Sequence, residues 1–519
     1  MNKACKFSHS GSLMLFKVDA LEQEAFEVLR VVRAIKNTFA PINRIPPEIL
    51  SLIPDYYEED EDVKSNTDEN SIVLTHVCRR WRAIFTSRPS LWTQLDFTNV
   101  DKTSTCIERS KSSLLNLHLR PSKVVDKAFS LLTPHFHRLR SLFFDAYDHP
   151  LNLLKRFIDH ATLLEKLEIN CVSDVEFNGA LFSGDLSSLR ELHLWRLVVP
   201  HFPWKNMANL QVVNLSYDFH SFGTAQMLDF FESAPLLHTV LLWYPMPDSS
   251  DAPTERTVSL PRLKIFAINE VPTHSVLLHH LQIPFKTSLT SSFRLNNSPF
   301  PAYLPVGFPN LGNMSQITTI NLHFESNEEK HVRLSGPSGS LFIHISLSHG
   351  QSVGASMADR RIFRSLDPVI STIRRLMVSK YRYKYRGRAG IEKCPIFKTL
   401  SLMDELRTLI LVDCKDQRFI QALDPQKHPS DLVLCPKMEE LVLFIGSQGH
   451  FCAGRFARVM KNRAWRGARL ASITVVDLGN VAREEEVLKL REHVTNVEYR
   501  VSKVLPPWDE IPGESGDVA

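Results

Sequence analysis

The run from Lys380 to Arg388 alternates basic and aromatic side chains, a pattern that could bind an anionic ligand. It reads Lys380, Tyr381, Arg382, Tyr383, Lys384, Tyr385, Arg386, Gly387 and Arg388. Tyrosine rings can stack on nucleic-acid bases while the cations meet phosphates. On a β-strand, however, the same alternation would place the tyrosines inward and the cations in water. The pattern therefore favours a solvated strand edge, followed by a site for an acidic protein or anionic ligand, with nucleic acid as the third interpretation.

Other residues with possible chemistry lack the partners that a reaction needs. His135 with His137, and His279 with His280, have spacings that metals can use, but no cysteine or carboxylate set accompanies them. The segment 336–339, Gly-Pro-Ser-Gly, lacks the lysine of a phosphate loop and is predicted to be a turn. No zinc-protease, nucleophile-elbow or dinucleotide-binding motif occurs. We therefore expect a non-catalytic protein with no cofactor and no metal site.

The bulk composition is that of a globular protein of several domains. The chain has 519 residues, of which 43% are hydrophobic and 23% are charged. Its apolar stretches are too short to span a bilayer, and its start lacks the apolar core of a signal peptide. A net charge of +4 gives no general attraction to DNA or to an anionic membrane. We expect an intracellular protein, in the cytoplasm, the nucleus or both, without a membrane partner.

The elements that must position any site come from an internal repeat. The phrase apolar-x-x-apolar-x-apolar begins at Leu114, Leu139, Leu164 and Leu189, at equal intervals of 25 residues. It is the core of a leucine-rich repeat, in which a short strand is followed by a loop and a helix. No single repeat can cover its own apolar edge, so the repeats must stack. The sequence predicts an α/β solenoid, a leucine-rich-repeat-like horseshoe, with a concave strand face suited to a macromolecular partner.

The phrase continues through the rest of the chain with looser spacing. Its later starts are Leu210, Leu237, Leu263, Ile317, Ile373, Leu406, Met438 and Leu470. Between two of these lies an alternating run, Leu341 to Ser348, which is either an extra hairpin or an irregular repeat. The register around residues 323–372 is left open by the sequence.

Before the repeats, residues 42–53 and 72–85 carry the pattern of two amphipathic helices. The first has Pro46 and Pro47 where a helix would begin and Glu48 in its first turn. The second, with Asn70 or Ser71 as its cap, places Val73, Val77, Trp81 and Ile84 on one face. A Pro-x-Leu-Trp phrase ending at Trp92 then leads into the first strand.

These two segments resemble the F-box of mushroom-type fungi, which contains the phrases P-P-E-I-L, V-C-R-x-W-R and P-x-L-W in this order. The resemblance implies a three-helix module that binds the Skp adaptor of a Skp–cullin–F-box ubiquitin ligase. The adaptor contacts that it implies are Pro46, Ile49, Leu50, Ile53, Val77 and Trp81. For Trp81 and Trp92 two alternatives stay open, since either could contact the adaptor or fill the core of the module.

Two features depart from that family. Pro54 stands where the first helix usually continues, which leaves the length of that helix open. Residues 55–70 contain five consecutive acidic residues, 58–62, whose mutual repulsion favours a solvated loop over an acidic docking site.

Upstream of the module, an apolar heptad pattern predicts one more helix. Its seam is Val18, Leu21, Ala25, Val28, Val32, Ile35 and Phe39. Three heptads are marginal for an independent coiled coil, so packing against the module or the first repeat is favoured over dimerisation.

The sequence therefore predicts a substrate receptor: the module binds a Skp-type adaptor, and through it a cullin-RING ligase, while the solenoid binds an unknown protein substrate. The alternative is a scaffold that acts outside the ligase, using the run from Lys380 to Arg388. The predicted organisation is a flexible N-terminus (1–14), the heptad helix (15–40), the module (42–97), the solenoid (98–500) and a flexible tail (501–519).

Overall fold

The computed structural model divides the chain into two compact units, Met1–Leu167 and Glu168–Ala519. The residues that it describes are 4–58, 67–96, 99–119, 130–146, 161–176, 187–198, 207–216, 224–243, 255–269, 277–278, 280–284, 286–295, 317–324, 329–336, 339–347, 367–380, 399–413, 418–428, 432–446, 452–478 and 484–502. The division falls inside strand β4 (Lys166–Glu176), so the first repeats belong to the same unit as the helical module.

The first unit opens with helix α1 (Ala4–Thr38), which starts well before residue 15. The predicted flexible segment 1–14 is therefore helical from Ala4 onward. The expected packing of the heptad seam is also wrong: every side chain from Leu15 to Phe39 is exposed, including Val28 at 59% and Ile35 at 56%. A second face of α1 approaches the module instead, because Arg30, Arg33 and Asn37 line a pocket beside it.

The remaining α-helices and strands of the first unit are the three helices of the module, the helix that follows the first strand, and three strands. They are α2 (Pro47–Glu58), α3 (Thr67–His76), α4 (Arg79–Thr86), β1 (Gln94–Asp96), α5 (Val100–Ser110), β2 (Leu115–Leu119) and β3 (Leu139–Ala146). Short 3-10 helices occupy Pro41–Arg44, Pro89–Trp92 and Thr133–Arg138.

The first helix of the module continues past Pro54. The helix runs through Pro54 to Glu58, and Pro54 itself is buried. A proline inside a helix costs about 3 kcal/mol, so burial of Pro54 and of Leu50, which is fully enclosed, offsets that penalty. The predicted loop 55–70 is consequently shorter: its ends are helical in α2 and α3, and 59–66 lie outside the described residues.

Strands β1, β2 and β3 form a parallel ladder in which the repeat phrases align. Leu95 pairs with Leu117, and Leu117 pairs with Leu142. Leu114, the predicted start of the first phrase, is only half-buried. Leu115, which is fully buried, lies opposite Leu139 instead, and the register shifts between Leu115 and Asn116.

The second unit consists of short strands and, among its described residues, a smaller number of short helices. Its strands after β4 are β5 (Glu191–Val198), β6 (Val212–Ser216), β7 (Thr239–Trp243), β8 (Val258–Ser259), β9 (Ile265–Asn269), β10 (Leu281–Gln282), β11 (Ser288–Leu295), β12 (Thr319–Phe324), β13 (Glu329–Gly336), β14 (Gly339–Leu347), β15 (Arg375–Ser379), β16 (Thr408–Val412), β17 (Glu440–Ile445), β18 (Ser472–Asp477) and β19 (Asn496–Val501). Its helices are α6 (Thr224–Ser233), α7 (Asp367–Ile370), α8 (Arg418–Ala422), α9 (Ala453–Trp465) and α10 (Glu484–Leu488), with 3-10 turns at Pro425–Lys427 and Lys489–Glu492.

Two parallel ladders carry the repeat phrases of this unit. The first joins β5, β6, β7, β9, β11 and β14, and the second joins β12, β15, β16, β17, β18 and β19. Equivalent phrase positions face each other: Leu376 pairs with Leu409, and Leu409 pairs with Leu441. These side chains are fully buried, because each strand turns the same alternate residues into the core.

The run from Leu341 to Ser348 is the second strand of an inserted hairpin, up to Leu347. Strand β13 pairs antiparallel with both β12 and β14, and β14 also pairs in parallel with β11. Gly336 faces Gly339 at the hairpin end. Of the two open alternatives, the extra hairpin is therefore the one found, and it joins the two parallel ladders.

Candidate functional site

The start of helix α2 follows from its two prolines. The amides of Ile49 and Leu50 both donate to the carbonyl of Pro46, at 3.1 and 3.0 Å. Proline at the first helical position loses no helical hydrogen bond, and Glu48 in the first turn complements the helix dipole. The predicted contact residues in and next to this helix differ in exposure: Leu50 is fully buried, Ile53 is half-buried, and Pro46 and Ile49 are exposed.

The predicted second helix of the module is two helices, which corrects the prediction of one apolar face. Helix α3 ends at His76, and Cys78 is extended, with φ −159° and ψ 173°, before α4 begins at Arg79. The break turns Val77 away from Trp81: Val77 is 54% exposed, whereas Trp81 is 9% exposed. Spacing by four residues does not place two side chains on one face when the helix between them is interrupted.

The two tryptophans lie in the core of the module. The Trp81 ring meets the Phe85 ring edge-on, with centroids 5.4 Å apart. Trp92, 2% exposed, donates its indole N–H to the carbonyl of Phe85 at 3.0 Å. Both tryptophans therefore contribute to the stability of the first unit in the uncomplexed chain.

Of the six residues predicted to bind an adaptor, the structure exposes some and buries others. Ile49 and Val77 are large apolar side chains that are 53% and 54% exposed. Pro46 is exposed, Ile53 is half-buried, and Leu50 and Trp81 belong to the core. The unit thus presents uncovered apolar side chains beside a closed core.

Arginines hold the helices of the module together, a role that the sequence did not disclose. Arg80 donates through Nη2 to the carbonyl of Ile45 at 2.7 Å, and Arg82 donates through Nε to the carbonyl of Thr75 at 2.9 Å. The phrase Arg79-Arg80-Trp81-Arg82 is visible in the sequence. The clustering of arginines at the start of a short helix is the one sequence feature that could have indicated this structural role.

The basic tyrosine run is described only at its first residue. Lys380 directly follows strand β15 with φ 54°, and its amide donates to the carbonyl of Val412 at 2.7 Å. The predicted patch residues Arg382, Lys384, Arg386 and Arg388 lie outside the described residues, as does the tyrosine alternation.

Buried polar side chains elsewhere connect successive repeats. Arg138 donates to the carbonyl of Ser113 at 2.9 Å, and Thr287 donates to the carbonyl of Leu263 at 2.8 Å. Arg463, fully buried, donates to the carbonyls of Leu434 and Cys435 at 2.7 and 3.0 Å. Burial lowers the pKa of Arg138 and of Arg463. Their bonds to backbone carbonyls are structural.

The predicted histidine pairs do not gather further ligands where they are described. His135 Nδ1 lies 3.5 Å from the Arg138 guanidinium, and burial together with that cation lowers the pKa of His135. His280 Nδ1 lies 2.7 Å from the carbonyl of Arg256, and His279 is outside the described residues. Within the described part of the chain, no three histidine, cysteine or carboxylate side chains are grouped as metal ligands would be.

No known family model and no curated protein matches this chain. Among the described helices, none has the length and apolar content to cross a membrane.

Proposed function

We propose that this chain is a non-catalytic substrate receptor of the F-box type, which binds a Skp-type adaptor through α2, α3 and α4. The observation that supports the proposal is the exposure of Ile49 and Val77 beside a core that is already closed by Leu50, Trp81 and Phe85. Burying one such aliphatic side chain contributes about 1.5–3 kcal/mol. A protein partner that covers both would therefore gain free energy without unfolding the module.

The repeats would supply the second binding surface. The parallel ladders align equivalent apolar positions across successive strands, as a leucine-rich-repeat-like α/β solenoid requires. On β15 and β16 the alternate residues Met377, Ile410 and Val412 form a second buried cluster, so the side chains available to a partner are the half-buried alternates of strands such as β2, β7 and β17. In this proposal those half-buried side chains bind the protein substrate, while a partner enzyme of the cullin-RING ligase performs the ubiquitin transfer.

The test is co-purification of the full chain with a fungal Skp adaptor, followed by titration of that adaptor. The variant is Ile49→Asp plus Val77→Asp, because a carboxylate placed at a covered apolar contact loses its hydration. The matched control is Leu432→Asp plus Val501→Asp, whose side chains are 54% and 63% exposed in the second unit. Both variants should keep the wild-type circular dichroism spectrum.

We expect wild type and control to bind with equal affinity and the module variant to bind at least about 100-fold more weakly. A wild-type chain that does not bind, or a module variant that binds like the control, would refute the adaptor assignment. Adaptor binding without recruitment of a cullin would instead favour a scaffold that acts outside the ligase.

A further inference from the structure

A strongly basic pocket lies between the C-terminal half of α1 and the start of α4. Its volume is about 620 Å³, and five of its eleven lining residues are arginines. They are Arg30, Arg33, Arg79, Arg80 and Arg82. The described lining contains no carboxylate. Like charges gathered around a concave surface focus a positive potential inside it.

The hydrogen bonds and ion pairs of these arginines leave most of that charge uncompensated. Arg80 and Arg82 donate to neutral backbone carbonyls, which fix the guanidinium groups in place without cancelling their charge. Arg30 pairs with Glu27 at 2.7 Å, but both side chains are 57% exposed, and such surface pairs contribute little. Within the described residues, Arg33 and Arg79 form no ion pair.

The end of α4 that borders the pocket adds to the same potential. Cys78, a lining residue, precedes the first turn of α4, and its side chain makes no capping hydrogen bond. The first amides of a helix carry the positive end of its dipole. The pocket therefore combines preoriented guanidinium groups with a helix end of the same sign.

We propose that this pocket binds a ligand that carries phosphate groups. Guanidinium groups match phosphate oxygens with pairs of parallel hydrogen bonds, which lysine cannot provide. Arg80 and Arg82 form the fixed wall, while Arg33 and Arg79 supply donors that are not committed to an ion pair. Val77 also lines the pocket, so the pocket borders the proposed adaptor surface, whereas Ile49 is not among the lining residues.

The test is calorimetric titration of the full chain with inorganic pyrophosphate at several salt concentrations. The variant is Arg33→Gln plus Arg79→Gln, which spares the two arginines that hold the module together. The matched control, Lys36→Gln plus Arg44→Gln, removes the same charge from exposed side chains outside the pocket. Removing one charge-assisted hydrogen bond should weaken binding about 10-fold or more, so the pocket variant should bind at least about 100-fold more weakly.

Wild-type binding that is abolished in the pocket variant and kept in the control supports the site. Failure of wild type to bind pyrophosphate overturns it, as does an equal loss of affinity in both variants, which would reveal attraction to net charge alone.

A phosphoserine peptide and its unphosphorylated counterpart distinguish the source of the phosphate. Tighter binding of the phosphopeptide than of pyrophosphate assigns the site to a protein ligand, and the reverse order assigns it to a soluble polyphosphate.

The other face of α1 is apolar and uncovered. Along it lie Val18, Leu21, Ala25, Val28, Val32 and Ile35, all exposed, at alternating spacings of three and four residues. The pocket-lining residues of α1 lie on a different face. We infer that this seam pairs with the same seam of a second copy of the chain, as a parallel two-stranded coiled coil.

Composition and charge identify the second copy as the occupant. Val18 and Val32 at the first heptad positions, with Leu21 at the fourth position of the first heptad, match the two-stranded preference, whereas Val28 and Ile35 at the later fourth positions do not. In parallel register, Lys17 of one helix faces Glu22 of the other, an attractive pair. Two such seams would remove on the order of 1,000 Å² from water, which is close to the lower bound for a specific interface.

Sedimentation equilibrium of the full chain over a concentration series tests this pairing. We expect a monomer–dimer equilibrium that Val28→Asp plus Val32→Asp weakens at least about 100-fold. The matched control is Phe16→Asp plus Phe26→Asp, whose side chains are 78% and 58% exposed but lie outside the seam. A monomeric wild type, or a seam variant that dimerises like the control, overturns the inference.

Charge reversal tests the parallel orientation. Lys17→Glu should weaken the dimer several-fold, and adding Glu22→Lys should restore it. A dimer that is indifferent to Lys17→Glu would contradict the parallel register.

Discussion

Trp92 donates its indole N–H to the backbone carbonyl of Phe85 over 3.0 Å, inside the core of the first unit. The indole ring also meets α5, because the guanidinium of Arg109 lies 4.4 Å from the ring centroid. One side chain thereby links the last helix of the module to the helix that follows the first strand. The integrity of the module and that of the first repeat therefore depend on each other.

Replacing Trp92 with phenylalanine should lower the free energy of unfolding of the first unit by about 1–3 kcal/mol, because the Phe85 carbonyl loses its shorter hydrogen bond and keeps that from the Arg88 amide at 3.4 Å. Hydrogen exchange of the α4 and α5 amides would measure the loss of stability. The control is Trp465→Phe, since Trp465 also carries an arginine over its ring but is 77% exposed. Equal protection in both variants would contradict the structural role of the indole N–H.

Arg463→Met should destabilise the second unit by about 2–4 kcal/mol, because two buried carbonyls, of Leu434 and Cys435, lose a charged donor. Arg458→Met is the control, since Arg458 is exposed on the same helix and should change the free energy of unfolding by less than about 0.5 kcal/mol. Denaturant unfolding followed by hydrogen exchange in 432–446 measures both. A methionine variant as stable as wild type would show that the carbonyls find other donors.

Cys435 should react with iodoacetamide far more slowly than Cys452. Burial raises the pKa of the Cys435 thiol to about 12, whereas Cys452 is exposed. The thiolate is the nucleophile, so we expect a rate at pH 8 that is at least about 100-fold lower for Cys435. Mass spectrometry of digested, labelled protein gives both rates from one sample. Comparable rates would mean that the segment around Cys435 opens readily.

The same pKa shift predicts a loss of stability at high pH. The folded state keeps the Cys435 proton above the ordinary thiol pKa of 9.0, so its contribution is complete below pH 9 and is lost as pH rises toward 12. Cys435→Ala should reduce the steepness of that loss. An unchanged pH profile would exclude Cys435 as its source.

Gly446→Ala should destabilise the second unit, whereas Gly454→Ala should not. A methyl group at Gly446 would overlap the carboxylate of Asp413, whose own backbone has φ 46°, and overpacking of this kind costs about 1–3 kcal/mol. At Gly454, in the first turn of α9, the space is open, and alanine should stabilise the helix by up to about 1 kcal/mol. Thermal unfolding of both variants tests the contrast, and a stabilised Gly446→Ala chain would show that Asp413 moves aside freely.

Part of the candidate site was predictable. Glu48 and the two prolines mark the start of α2 through local rules of helix initiation. The phrase positions of the repeats were predictable as well, since alternation along a strand depends only on sequence. The assignment of individual side chains was less so: Trp81 and Trp92 could equally have faced a partner, and it is their contacts with Phe85 that place them in the core.

The sequence by itself determined the local periods: the strand phrases, the heptad helix and the start of the first helix of the module. Only the tertiary structure decided which surfaces stay uncovered. The break at Cys78 separates Val77 from Trp81, and the contact of Arg80 with Ile45 sets how the helices of the module meet. Periodicity fixes which side chains share a face, but whether that face is covered depends on segments distant in the chain, which no local pattern encodes.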